Sequence, residues 1–221
     1  MIKYSLILPC KEEPYIYKLV QEIQEKIKNH EIIIVDKSKV TPVFSDKNVT
    51  VVRQKSNGLG MAILEGLKVA KGEFIAVLDC DGSHDPDDLK KLLAKMPEYD
   101  IAIGSKLVKG GKTEDPFSRR IVTMLFDNLA RFLLNIKLKD PMTGFMVIKR
   151  SVLENIELSP KGFKIVLEIL YKSKATKSKV AEVPITFHKR KAGESKVGFN
   201  VKGLKEAFRI LYLILELRFG R

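Results

Sequence analysis

Phe74-Ile75-Ala76-Val77-Leu78-Asp79-Cys80-Asp81-Gly82-Ser83-His84-Asp85-Pro86 is the stretch on which the reading of this chain turns. An apolar run of strand length delivers two carboxylates, spaced i and i+2, to its C-terminal end. A helix start follows at once: Asp85 is the expected N-cap, Pro86 takes the first helical position, and acids fill the first turn. In an open parallel sheet, ligands bind at the carboxyl ends of strands. Paired carboxylates there suit a hard divalent cation that also holds phosphates. Taken alone, an Asp-x-Asp is as readily a polar turn with a helix cap, so the rest of the chain has to decide.

On either side of this stretch, strands alternate with helices. Tyr4 to Pro9, Glu31 to Asp36, Val49 to Val52, Phe74 to Leu78 and Tyr99 to Gly104 read as strands. Pro14 to about Asn29 and Gly58 to Ala70 read as helices, the second opened by glycines. The alternation predicts an α/β fold with a mostly parallel central sheet and helices on both faces. The second half differs. Ser118 to Leu138 is a long apolar helix pattern carrying Arg119, Arg120 and Arg131. Phe145 to Ile148 is a short strand, Phe163 to Lys174 an amphipathic helix, and Val180 to Phe187 extended, with Pro184 marking an edge. Residues 1–199 are expected to form one catalytic unit, and 200–221 a C-terminal amphipathic helix.

The chain has 221 residues, of which forty are Lys or Arg and twenty-seven Asp or Glu, a net charge of +13. Such a surface favours anionic partners: nucleic acid, acidic headgroups or phosphorylated substrates. The two cysteines, Cys10 and Cys80, have neither C-x-x-C spacing nor histidine partners at metal spacing, which argues against a zinc site or a disulfide scaffold. They read as small apolar fillers on neighbouring strands. No signal peptide and no transmembrane span are expected.

Several familiar motifs fail. No G-x-G-x-x-G follows the first strand. Gly111-Lys112-Thr113 resembles the tail of a phosphate-binding P-loop, but Lys106 stands where its first glycine is needed. There is no H-E-x-x-H and no G-x-S-x-G elbow. What remains is a convergence of strand ends: Pro9-Cys10-Lys11-Glu12-Glu13, Val35-Asp36-Lys37-Ser38, Asp79-Cys80-Asp81 and Gly104-Ser105-Lys106. Each alone is an ordinary polar turn. Together they fall on one sheet edge.

On these residues the chain resembles the inverting family-2 glycosyltransferases, and within them the dolichyl-phosphate mannose synthase branch with its polyprenyl-phosphate relatives. The resemblance runs from Leu6-Ile7-Leu8-Pro9 to the final helix. Its most specific carriers are Leu78 to Pro86, Ile103-Gly104-Ser105-Lys106, Asp140-Pro141-Met142-Thr143-Gly144-Phe145, Gly162-Phe163-Lys164 with Leu167-Glu168, and Glu182 to Phe187 followed by Arg190 and Gly193-Glu194-Ser195-Lys196.

The resemblance implies a GT-A (Rossmann-like) fold, a nucleotide-sugar donor, typically GDP-mannose, a polyprenyl or dolichyl phosphate acceptor, and Mg²⁺ or Mn²⁺. By the same likeness, Pro9, Glu13, Val35 and Asp36 fall on the nucleoside. Asp79, Cys80 and Asp81 fall on the diphosphate and metal segment, with Ser83 beside the metal. Arg190 and Lys196 match residues that grip the donor diphosphate, and Arg119 is expected at the acceptor phosphate. Lys106 stands in place of an expected arginine, keeping the charge without the bidentate fork. Lys11, Glu12 and Lys37 depart from the family pattern where base and ribose are held, which leaves a UDP-sugar donor of the glucose type open. A nucleotide-binding relative without catalysis is a further alternative.

A nucleic-acid-binding module is the remaining alternative. Against it stand few aromatics for base stacking, no basic reading helix and the acids clustered at the proposed site, so no nucleic-acid partner is expected. Arg119 and Arg120, opening an apolar helix, and the final helix with Leu204, Phe208, Leu211, Leu215 and Phe219 amid Arg209 and Arg218 predict peripheral contact with an anionic membrane surface, on its cytoplasmic face. Gly193 to Lys196 is expected to close over the donor.

Overall fold

The computed structural model describes residues 2–159, 164–191 and 201–220, with the backbone alone for 201–204. In chain order the elements are β1 (Tyr4–Cys10), α1 (Ile16–Lys26), β2 (His30–Asp36), β3 (Val49–Arg53), α2 (Leu59–Leu67), β4 (Phe74–Val77), α3 (Pro86–Leu93), β5 (Ile101–Ser105), β6 (Lys112–Thr113), α4 (Phe117–Leu134), β7 (Met146–Lys149), α5 (Arg150–Glu154), α6 (Ile165–Lys172), β8 (Val180–Pro184), β9 (Thr186–Phe187) and α7 (Val201–Phe219).

Seven strands form the central sheet in the order β3-β2-β1-β4-β7-β5-β8, and β6 pairs with β9 in a small second sheet. The β1–β2, β1–β4, β2–β3 and β5–β8 pairs are parallel. Only β7 runs antiparallel, wedged between β4 and β5. The carboxyl ends of β1, β2, β4, β5 and β8 therefore share one edge, and the turn that feeds β7 starts at that same edge. This is the mostly parallel α/β sheet expected from the strand–helix alternation. Pro184 lies on the terminal strand, where its missing N–H costs no ladder bond.

Both faces of the sheet are apolar, as a doubly covered sheet requires. Leu6, Leu8, Ile32, Ile34 and Ala76 face one layer with α1 and α3 residues such as Leu19, Ile23, Leu89 and Leu92. Ile7, Ile33, Ile75, Ile101 and Ile103 face the other, with Ala62 and Ile63 of α2 and Ile165 and Ile169 of α6. A third layer joins Ala130 and Leu134 of α4, Leu167 of α6, and Leu213 and Ile214 of α7. Among the described residues no helix is long and apolar enough to cross a membrane.

The differences from the sequence reading are local. α5 and the β6–β9 pair are too short to leave a periodic pattern. Most helix ends fall one to four residues inside the predicted spans, and α4 begins one residue earlier, at Phe117, since apolar periodicity does not mark where a helix frays.

Candidate active site

The Asp79–Pro86 turn is built from its own side chains. Asp85 caps α3, its Oδ1 accepting the Asp87 N–H at 2.7 Å, with Pro86 at the first helical position. Asp81 Oδ1 accepts the Ser83 N–H at 2.9 Å. Gly82 makes the turn possible: its φ is +78°, and a Cβ there would lie 2.8 Å from Tyr15 Cε1 and 2.9 Å from Lys191 Cγ. The Asp79 N–H donates to His84 Nδ1 at 3.0 Å. His84 is buried, stacked on Phe145 at 4.6 Å and edge-on to Phe187 at 5.5 Å. Burial lowers its pKa, so it stays neutral, with the remaining proton on Nε2.

The segment after β9 crosses over this turn. His188 N–H donates to the Ser83 carbonyl at 3.0 Å, and Lys191 N–H to the Asp81 carbonyl at 2.9 Å. These two bonds set Arg190 against Asp81, Nε to Oδ2 at 3.1 Å. Burial raises the pKa of Asp79, with Asp81 adding to the effect and His84 and Arg190 opposing it. Two carboxylates and a guanidinium thus share one mouth.

The cleft behind it has a volume of about 400 Å³. Pro9, Asp79, Asp81, His84 and Arg190 line it together with Lys106, Arg119, Asp140, Thr143 and Lys164. Lys106 Nζ holds both oxygens of Asp140, at 3.1 and 3.0 Å, and Asp140 in turn accepts the Lys106 N–H at 3.1 Å. Lys164 Nζ donates to the Met142 carbonyl at 2.6 Å. Burial, with Lys106 nearby, lowers its pKa to about 8. Arg119 Nη1 pairs with Asp115 Oδ1 at 3.2 Å on the first turn of α4. Arg119, Thr123 and Asp127 recur every four residues, so one stripe of α4 runs from the cleft toward its floor. Asp127 is buried, and neither carboxyl oxygen makes a hydrogen bond of ordinary geometry among the described residues. Burial and Asp140 raise its pKa to about 7.

The expected nucleoside residues lie toward β1–β3, and of these only Pro9 lines the cleft. Val35 is fully buried in the core, so its backbone alone is available at the site. Asp36 is also buried: Oδ1 accepts the Ser38 N–H at 3.0 Å and Oδ2 pairs with Arg53 Nη1 at 2.6 Å. Glu13 turns back to the Tyr15 N–H. Lys37 is drawn away to the Ser56 carbonyl and Asn57 Oδ1. Cys80 is buried, its Sγ donating to the Pro9 carbonyl at 3.0 Å. Lys196, with Gly193 to Ser195, lies outside the described residues, as do Gly162 and Phe163.

Asp79 and Asp81 fit a divalent cation by their chemistry. Both are hard oxygen donors, and Ser83 Oγ beside them is buried without a hydrogen-bond partner among the described residues. Among the described residues no three His, Cys, Asp or Glu groups converge as a complete metal cage. A cation here needs ligand phosphates and water to complete its shell, the usual habit of Mg²⁺.

Sequence reading did not assign roles to His84, Asp115, Asp127 or Glu206, nor individually to Asp140 and Lys164 within their quoted motifs. Asp127 had a signal: a lone acid on the Arg119–Thr123 stripe of an otherwise apolar helix.

A carboxylate pair at the end of β4, in a sheet of this order with one inserted antiparallel strand, defines the GT-A class of nucleotide-sugar enzymes. The solved glucosyl-3-phosphoglycerate synthase from Mycobacterium tuberculosis, crystallised with Mn²⁺, uridine diphosphate and phosphoglyceric acid, superposes with a TM-score of 0.73 at 17% identity, over 99% of this chain and 78% of that one. That likeness establishes the fold. Residues 5–157 match the model of glycosyl transferase family 2, and the chain belongs to that family. It is 37% identical over 230 residues to the dolichol-phosphate mannosyltransferase of Pyrococcus furiosus, covering 97% of this chain and 64% of that protein's length. It is 30% identical over 223 residues to the dolichol-phosphate mannosyltransferase of Saccharomyces cerevisiae, covering 90% and 83%. The undecaprenyl-phosphate mannosyltransferase of Micrococcus luteus is 32% identical over 171 residues, covering 74% and 70%.

Proposed function

We propose that this chain transfers mannose from GDP-mannose to a polyprenyl or dolichyl phosphate, with inversion, at a site that takes Mg²⁺ or Mn²⁺. One observation carries the reading. Asp79, Asp81 and Arg190 share a single cleft with Lys106, Arg119 and Lys164, so a donor diphosphate and an acceptor phosphate can be held side by side. The names of the three relatives supply the sugar and the lipid.

The residues divide the work as follows. Asp79 and Asp81, with Ser83, would hold the cation, which when bound would supply charge neutralisation at the departing diphosphate. Arg190, and Lys196 by family likeness, offer the same diphosphate fixed positive charge. Such a contact to developing charge is worth about 2.7–4 kcal/mol in the barrier. Arg119, Lys106 and Lys164 orient the acceptor phosphate. The second pKa of a phosphate monoester is about 6, so its oxygen is ionised at neutral pH and needs no general base. Direct attack from the opposite face of the sugar inverts the anomeric centre. Pro9, Glu13 and the backbone of Val35 and Asp36 take the nucleoside, and Cys80 lies under the diphosphate.

Peripheral binding on the cytoplasmic face of an anionic membrane belongs to the same proposal. Residues 1–199 form the catalytic unit and 200–221 its surface anchor. Phe117, Ile121, Leu125 and Phe132 of α4, and Phe208, Tyr212, Leu215 and Phe219 of α7, are exposed at helical spacing. These helices also carry Arg119, Arg120, Arg209 and Arg218. Exposed apolar stripes flanked by cations suit a headgroup boundary. A second reading, a UDP-sugar donor, draws on Lys37 bonding away from the nucleoside residues.

The test is transfer of radiolabelled mannose from GDP-mannose to a polyprenyl phosphate with Mn²⁺, with UDP-glucose in parallel. Lipid-linked mannose is the expected product. Label transferred from UDP-glucose alone selects the second reading, and no transfer from either donor contradicts both.

A further inference from the structure

The two cysteines meet beside the cleft. β1 and β4 pair in parallel, with Leu6 opposite Ala76 and Ile7 opposite Val77. Past that pairing the Leu78 N–H still donates to the Ile7 carbonyl at 3.4 Å, and the chain then turns so that the Cys80 thiol meets the end of β1 at Pro9 and Cys10. Leu6, Leu8 and Cys10 enter the same apolar layer as Ala76, Leu78 and Cys80, so both thiols lie on one face of the sheet. Cys80 Sγ is 3.0 Å from the carbonyl of Pro9, the neighbour of Cys10. Both are free. Neighbouring strands stand about 4.8 Å apart, inside the range of roughly 4.4–6.8 Å between Cα atoms that a disulfide spans. The two cysteines of the 221-residue chain thus share one apolar layer at the end of β1. One of them stands between the two carboxylates of the site, and the other follows a residue that lines it.

We propose that Cys10 and Cys80 form a reversible disulfide that closes the donor site to its ligand. A peroxide is the oxidant. The Cys10 sulfur attacks one peroxide oxygen, the O–O bond breaks, and a sulfenic acid and one water result. The Cys80 sulfur then attacks the Cys10 sulfur, the S–O bond breaks, and a second water leaves. Two thiols lose two electrons and two protons, and hydrogen peroxide becomes two waters. A dithiol reductant reverses the change by exchange. Closing the bond brings the two Cβ atoms to about 3.8 Å. It draws the backbone of Cys80 toward β1, and Asp79 and Asp81 on either side turn with it. The bond stands on the approach of Cys80 to the Pro9–Cys10 end of β1 within one apolar layer; its effect on donor binding rests on the proposed role of Asp79 and Asp81.

The experiment treats the folded, full-length chain with hydrogen peroxide and follows intact mass, free thiols in denaturant, and binding of GDP with Mn²⁺. A loss of about 2 Da with both thiols blocked is expected. GDP–Mn²⁺ binding should weaken by about tenfold or more and recover with dithiothreitol. Cys10→Ser should bind GDP–Mn²⁺ like the reduced protein and keep that binding in peroxide. Two thiols surviving treatment, oxygen added at either cysteine, or peroxide still abolishing binding in Cys10→Ser would each overturn the proposal. A disulfide that leaves binding intact overturns the gating. Reduced protein that binds neither GDP nor UDP contradicts the proposed function and the gating with it, while the mass change still decides the bond.

Discussion

Arg190 Nε stands 3.1 Å from Asp81 Oδ2, held there by two backbone bonds between the 188–191 segment and the Asp81–Ser83 turn. The guanidinium that would grip the donor diphosphate is therefore parked on the carboxylate that would hold the cation. Donor and cation have to share this pair, and their binding is expected to be coupled. Arg190→Ala should weaken GDP binding in the presence of Mn²⁺ more than it weakens Mn²⁺ binding alone. Calorimetric titrations with and without nucleotide check this, and equal losses in both would contradict it.

Asp81→Asn keeps the shape and removes the charge. Transfer should fall by about 10²–10³-fold, the loss typical of one contact to developing charge. The Ser83 N–H can still be accepted by the amide oxygen, so Tm should move little. Rates at a fixed Mn²⁺ concentration and a thermal melt separate the two effects.

Lys106 and the buried Asp140 pair at 3.0 Å and form a wall of the cleft. Lys106→Met leaves the Asp140 carboxylate with backbone partners alone, and a stability loss of about 3–5 kcal/mol is expected. The Lys106→Met/Asp140→Asn double variant should recover part of it, because no unpaired charge is left behind. Urea unfolding of the single and double variants is the check.

Asp127 and His84 make stability depend on pH in opposite senses. Asp127 has a pKa of about 7 in the fold against 3.8 as an ordinary aspartate. Between those values the folded state holds the extra proton, so this group's contribution falls as pH rises toward 7. Asp127→Asn should therefore raise Tm more at pH 8 than at pH 5. His84 has a folded pKa below 6.5, so the unfolded chain takes up the extra proton in acid. Its contribution is present above pH 6.5 and is lost as pH falls below it. His84→Gln should flatten that acid limb. Melts from pH 4 to 8 test both.

Membrane contact is tested by flotation with anionic liposomes. Phe132 is 83% exposed and Phe208 64% exposed, so Phe132→Asp and Phe208→Asp cost the fold little. Liposome binding should drop in both, and fall further in high salt as the arginine contribution is screened. Unchanged binding would contradict the surface-helix reading.

Much of this was legible in the chain before folding. Asp85-Pro86 announced α3 because cap and first-turn preferences are local chemistry. The Asp79–Asp81 pair announced the site because an apolar strand that ends in acids has to place them at a sheet edge. The direction and position of β7 were not legible: Met146 to Ile148 are buried, and burial carries no sign of parallel or antiparallel pairing. The Lys106–Asp140 and Asp81–Arg190 pairs were also hidden as pairs. Long-range ion pairs depend on where loops return, and spacing along the chain does not encode that. Asp36 looked available for a nucleoside, yet its carboxylate is already held by Arg53 across the β2–β3 pair.

The central claim is that Asp79 and Asp81 hold a cation shared with the donor's diphosphate. A crystal of the protein soaked with Mn²⁺ and GDP-mannose, read by manganese anomalous scattering, tests it most directly. The account predicts a peak about 2.1 Å from a carboxylate oxygen of Asp81, with Asp79 beside it and diphosphate oxygens completing the shell. A bound nucleotide from which both side chains point away, with no peak between them, would contradict it.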